Sequence, residues 1–118
     1  MSVLFINYPK CSTCTNARKW LEEHNINFTS RHTVEDNPTK EELKKYVALS
    51  GLPIKKFFNT SGMLYREMNL KEKLLNATED EMLDILSSNG MLVKRPLVIA
   101  DNGVLIGFKK DKWEQFFK

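Results

Sequence analysis

At 118 residues, 42% of them hydrophobic and 28% charged, the chain has the size and composition of one globular domain built around a single core. Eighteen Lys and Arg against fifteen Asp and Glu leave a net charge of +3, spread along the sequence without the dense basic cluster of a direct nucleic-acid binder. No apolar run approaches the roughly 20 residues of a bilayer span, and no secretory-signal pattern follows Met1, so the expected location is the cytoplasm, away from membranes, with a monomer as the expected state.

The first element predicted is a strand in "SVLFINY" (2–8), an apolar run closed by Pro9 whose lack of strict alternation suits burial on both faces. Two cysteines three residues apart follow in "NYPKCSTCTNARKWLEEH" (7–24). Beyond them Ala17, Trp20 and Leu21 recur at helical spacing against Arg18, Lys19, Glu22 and Glu23, which predicts a helix stopping at "HNIN". "INFTSRHTV" (26–34) reads as a second strand, parallel to the first if the helix crosses over between them. Tyr8, Trp20 and Phe28 read as core aromatics.

The middle of the chain is helical in character. "NPTKEELKKYVALSGL" (37–52) places Glu42 three residues after a Thr39 cap, carries an apolar face of Leu43, Tyr46, Val47 and Ser50, and stops at Gly51. "PIKKFF" (53–58), "GMLYREMNLKEKLLN" (62–76) and "TEDEMLDILSSNG" (78–90) read as further short helices, the last begun by Thr78 and ended by Gly90. Strands return in "PLVIADNGVLIGF" (96–108), two apolar runs about a hairpin signal at Asn102-Gly103. A closing helix, "KDKWEQFF" (110–117), has Trp113, Phe116 and Phe117 to dock on the sheet.

A CxxC at the end of the first strand, with a hairpin and a helix at the far end of the chain, matches the thioredoxin-like arrangement: an α/β fold with a central mixed four-stranded sheet. The core is expected over about 1–35 and 91–118 of a single domain, with an inserted helical subdomain over about 36–90. Cys11 then sits at the start of a helix, where free backbone N–H groups and the helix dipole stabilise a thiolate. Lys10 adds a nearby cation, and Ser12 and Thr13 shape the turn between the thiols. Cys14, one turn on, lies on the same face and can attack an adduct on Cys11. Zinc would need two more ligands, and His24 and His32 have no paired spacing, so no metal is expected.

"FINYPKCSTCTNARKWLEEHNI", "PTKEEL", "FFNTSGMLYREMNL", "MLVKRPLVI" and "VLIGF", in that order over nearly the whole chain, resemble the arsenate reductase-related family, which also contains the Spx-type transcriptional regulators. The most specific part is "KRPLVI" (94–99) combined with the early cysteine. The resemblance implies a thioredoxin-like sheet with inserted helices, a cysteine that attacks an oxyanion, and three arginines around it. Carried over by position, the cysteine is Cys11 and one arginine is Arg95; Pro96 is implied to be cis and to face Cys11. On the residues alone, Arg95 has the alternative of a surface or structural ion pair, and Pro96 that of a trans residue opening an edge strand. The other two arginine positions hold Asn59 and Phe108, and Thr15 stands where the reductases tend to have an arginine. Charged hydrogen bonds of that kind are worth ~1.5 to 3 kcal/mol each, so arsenate should bind more weakly by orders of magnitude unless Arg66, Lys94 or Lys109 substitute. Asn59 and Ser61 read as turn formers and Arg66 as a solvated helix residue.

The resulting expectation is a cytoplasmic thiol oxidoreductase without a bound cofactor, Cys11 the nucleophile and Cys14 the resolving thiol. It would act on a small oxyanion or an oxidised thiol, with glutathione and glutaredoxin or thioredoxin as electron donor. The alternative is an Spx-type redox switch whose Cys11–Cys14 disulfide alters docking on RNA polymerase.

Overall fold

β1 (Val3–Asn7) sends Val3 and Phe5 to one buried face and Leu4 and Ile6 to the other, so the run that lacks polar alternation is a strand covered on both sides. In the computed structural model, which describes residues 2–118, β1 lies inside a four-stranded mixed sheet. β2 (Thr29–His32) pairs parallel with it, Phe5 opposite Ser30, and β3 (Leu97–Ala100) pairs antiparallel on its other side, Phe5 opposite Val98. β4 (Gly103–Ile106) completes the hairpin, giving the order β2-β1-β3-β4. The second strand is shorter than the sequence pattern, since Ile26 and Phe28 precede it and pack as partly buried groups on the sheet.

α1 (Ser12–Glu23) joins β1 to β2, and α6 (Lys110–Phe116) follows the hairpin. Together they cover the face that carries Phe5, Val98 and Leu105, with Ala17, Trp20, Leu21 and Trp113 as their buried contribution. Trp20 and Trp113 meet edge to face with ring centroids 5.5 Å apart. Full burial of a large apolar side chain contributes about 1.5–3 kcal/mol, so this small set anchors α1 and with it the cysteine loop.

The opposite face, with Ile6 and Leu97, is covered by the elements between β2 and β3. These are α2 (Lys40–Ser50), a 3-10 turn (Ile54–Phe57), α3 (Met63–Glu67), α4 (Leu70–Lys73), α5 (Glu79–Ser88) and a second 3-10 turn (Gly90–Leu92). α2 and α5 both open on capping boxes, Thr39 with Glu42 and Thr78 with Glu81, and Gly51 closes α2 at φ +67. This element order is the thioredoxin-like arrangement with helices inserted between the second and third strands.

Two local expectations need correction. The stretch 62–76 is two short helices, because Asn69 takes a left-handed conformation at φ +54 and breaks the run. Gly90 does not terminate α5: the helix ends at Ser88 with Asn89 as its C-cap, and Gly90 begins a 3-10 turn pressed on the backbone of Thr33. A Cβ on Gly90 would lie 1.7 Å from the Thr33 carbonyl oxygen. No helix among the described residues is long and apolar enough to cross a membrane.

Candidate active site

The end of β1 is held by a polar network that fixes where the cysteine loop begins. Asn7 is buried and donates its side-chain amide to Ser30 Oγ at 2.9 Å and to the Phe5 carbonyl at 3.1 Å. Arg18, from α1, donates to the same Ser30 Oγ at 2.9 Å and lies over the rings of Phe5 and Phe28. The loop then turns through Tyr8, whose carbonyl accepts from the Cys11 N–H at 3.0 Å.

Cys11 is the N-cap of α1 with extended backbone angles, half-buried and unpaired. Its sulfur closes no regular cap hydrogen bond. Burial disfavours its charged form, but the Cys14 amide and thiol, the Thr13 amide and the positive charge of Arg95 outweigh that, and the thiol is shifted below its ordinary range. Cys14, one turn later, is buried and free. Burial pushes it up to about 12; the Tyr8 amide, the next influence in size, opposes that, while the hydrogen bond and negative charge of Cys11 add to it and Arg95 lowers it least. One thiol is therefore prepared to ionise and its neighbour to keep its proton, from a single helix end.

Arg95 stands across from this end, in the loop before β3. Its guanidinium carbon lies 5.0 Å from the centre of the Tyr8 ring and its Nη1 donates to the Met91 carbonyl at 3.4 Å. The Arg95–Pro96 peptide is cis, and Pro96 is buried, its carbonyl accepting from the Gly107 N–H at 2.9 Å. Lys10, Ser12 and Thr13 are exposed. Thr15 hydrogen-bonds through its hydroxyl to the Cys11 carbonyl at 3.2 Å. A cavity of about 170 Å³ bounded by Asn7, Tyr8, Pro9, Cys14, Thr15 and Arg18 reaches the second thiol.

Other residues weighed from the sequence lie elsewhere. The Asn59 carbonyl accepts from the Gly62 N–H, and its side-chain oxygen accepts from Ser61 Oγ, in the turn before α3. Phe108 packs edge to face on Trp113. Arg66 is exposed and donates to the Ser61 carbonyl. Lys94 and Lys109 line a separate groove that does not include Cys11. Tyr8 is the residue the sequence reading misplaced: it is half-buried, and its ring carries Arg95 on one contact and meets His32 edge to face on another. Its position directly before the cysteine loop, at the end of a strand, was the available signal.

The ArsC family model matches residues 6–116. The chain belongs to the ArsC family. Similar members include YusI of Bacillus subtilis, 56% identical over 98% of both chains, and the regulatory protein MgsR of the same organism, 31% identical over 88% of this chain and 81% of that one. Among solved structures, an ArsC family related protein from Bacteroides fragilis is 56% identical, with a TM-score of 0.94 over 98% of this chain and 97% of the other. A possible arsenate reductase from Streptococcus mutans is 36% identical, with a TM-score of 0.86 over 95% and 97%. The ArsC-family chain thus has both reductase-like and regulator-like relatives, and the residues around Cys11 must carry any choice between them. No three His, Cys, Asp or Glu side chains among the described residues are grouped to hold a metal ion.

Proposed function

We propose that this ArsC-family chain is a cytoplasmic thiol-dependent oxidoreductase in which Cys11 is the nucleophile and Cys14 the resolving thiol. The observation that carries the reading is the opposite displacement of the two thiols, Cys11 lowered and Cys14 raised to about 12, on consecutive turns of one helix end.

The Cys11 thiolate attacks an oxidised substrate. With a disulfide, a new S–S bond forms to Cys11 and the old one breaks, releasing one substrate thiolate. With an arsenate-like oxyanion, sulfur displaces an oxygen as water and forms a thiol ester of the pentavalent centre. Either adduct removes the negative charge from Cys11. That charge and its hydrogen bond are among the causes that keep Cys14 protonated, so adduct formation itself acidifies the resolving thiol. Cys14 then loses its proton to solvent and attacks Cys11 sulfur. Closing the Cys11–Cys14 disulfide gives up two electrons to the substrate, which leaves reduced, as a second thiolate or as the trivalent oxyanion. Glutathione with glutaredoxin, or thioredoxin, returns two electrons to the disulfide.

Arg95 is the cation available to an anionic substrate beside Cys11. With Asn59 and Phe108 at the other apparent arginine positions, the site favours an oxidised thiol over arsenate. The likeness to the regulatory protein MgsR supports a second reading, a regulator; in that reading the Cys11–Cys14 disulfide would switch docking on RNA polymerase. The deciding experiment is arsenate and disulfide reduction by the purified protein with glutathione and glutaredoxin, in wild type, Cys11→Ser and Cys14→Ser. The enzyme reading expects turnover abolished in Cys11→Ser and, in Cys14→Ser, an adduct that only an external thiol resolves. Absence of turnover on every substrate, together with oxidation-dependent capture of RNA polymerase, would replace it with the regulator.

A further inference from the structure

Outside the cysteine site, a groove of about 700 Å³ lies between the segment 52–60, the loop before β3, and the start of α6. Five of its ten lining residues are lysines, Lys55, Lys56, Lys94, Lys109 and Lys112, and none is acidic. Its apolar wall includes Phe58, Ile106 and Leu52, the last a large apolar side chain left 43% exposed. Two cations elsewhere are paired: Lys40 reaches both Asp80 and Asp84 at 2.9 Å, and Arg31 reaches Glu42 and Asp36. Among the described residues none of the five groove lysines has a carboxylate within salt-bridge distance. Five lysines from three segments of the chain therefore line one groove with no acidic residue among its walls, a positive potential that favours an anion from outside.

The composition of the groove narrows that anion. Carboxylates are recognised best by the planar fork of arginine, and the groove has none; lysine acts as a point charge and suits clustered phosphate oxygens. The apolar wall suits a ring or other carbon-rich portion attached to the phosphates. We propose that this groove is a second ligand site, independent of the cysteines, that takes a small polyphosphorylated organic molecule of the nucleoside triphosphate class, lysines on the phosphates and Leu52, Phe58 and Ile106 against the ring.

The test is calorimetric titration of the full chain with ATP, with inorganic tripolyphosphate and with a short single-stranded oligonucleotide, at low and high salt. The variants are Lys55→Gln/Lys94→Gln/Lys109→Gln and, as a control of equal charge change on exposed positions outside the groove, Lys44→Gln/Lys45→Gln/Lys71→Gln. The proposal expects saturable ATP binding that is tighter than tripolyphosphate, weakens with salt, falls about tenfold or more in the groove variant, and is retained in the control and in Cys11→Ser. Retention in Cys11→Ser separates this site from the thiol chemistry. Equal loss in the groove and control variants, no saturable ATP binding, or oligonucleotide binding without ATP binding would each overturn it.

Discussion

At Cys11 the decisive quantity is which influences reach one sulfur atom. A cysteine at a helix N-cap gains from the amides beyond it, and the CxxC spacing alone places those amides and the second thiol one turn away; this much was legible before any coordinates. Arg95 and its cis neighbour Pro96 came from the resemblance carried by "KRPLVI". Tyr8 did not come at all, because an aromatic residue at a strand end looks like core until the approach of a distant loop gives it an arginine to stack on. A cation–π contact contributes about 0.5–1 kcal/mol when exposed and about 2 when desolvated, and this half-buried one is enough to bias where the guanidinium rests. Removing the positive charge in Arg95→Gln should therefore raise the Cys11 thiol and slow its alkylation severalfold at neutral pH while the melting temperature stays within a few degrees. Tyr8→Leu should move alkylation the same way and Tyr8→Phe should not; unchanged rates in Arg95→Gln would return Arg95 to a structural role.

Among the elements, those with a chemical start signal were legible: Thr39 with Glu42 and Thr78 with Glu81 form the capping boxes their spacing announces. Asn69 and Gly90 were not, for different reasons. A left-handed asparagine leaves no mark on hydrophobic periodicity, and a glycine three-quarters along the chain reads as a helix stop when its real constraint is a backbone 57 residues away. Gly90→Ala must displace the Thr33 backbone, whose own side chain donates to the Gly90 carbonyl at 3.2 Å; the expected cost is about 2–3 kcal/mol, or roughly a 10 °C fall in melting temperature. A melting temperature equal to wild type would show that the contact yields freely.

β2 is also tied to α2 by charge. Arg31 donates to both oxygens of Glu42, at 2.6 and 2.9 Å, and this hydrogen-bonded cation, against the opposing effect of burial, holds the Glu42 carboxyl down to about 2 from an ordinary 4.5. Because the folded value lies below the unfolded one, the contribution is complete above about pH 4.5 and is lost as the pH falls toward 2. With Glu42 a third exposed, screening limits the pair to about 1 kcal/mol. Urea unfolding should find Glu42→Gln less stable than wild type at pH 7 by about that amount, with the gap closing near pH 2; a gap independent of pH would mean that the ion pair is not its source.

Over the whole molecule, the two buried faces of β1 explain why a chain of 118 residues keeps one end of its sheet free for chemistry. α1 and α6 pack one face, the inserted helices pack the other, and the helix start with Cys11 meets the loop with Arg95 beyond the packed layers. The order of strands, helices and hairpin could be read from periodicity and turn residues. That Asn59 and Arg66 of the inserted segment stay in their own turn, away from the cysteines, could not, since that depends on how a run of short helices folds back on the sheet. This architecture makes two chemically unequal thiols. The test is alkylation of the reduced protein from about pH 5 to about pH 10, which spans the ordinary thiol at ~8.5, with each cysteine quantified separately by mass spectrometry. Cys11 should reach its full rate at a pH below that of an ordinary thiol while Cys14 stays almost unmodified. Equal pH profiles for the two residues, or faster modification of Cys14, would contradict it.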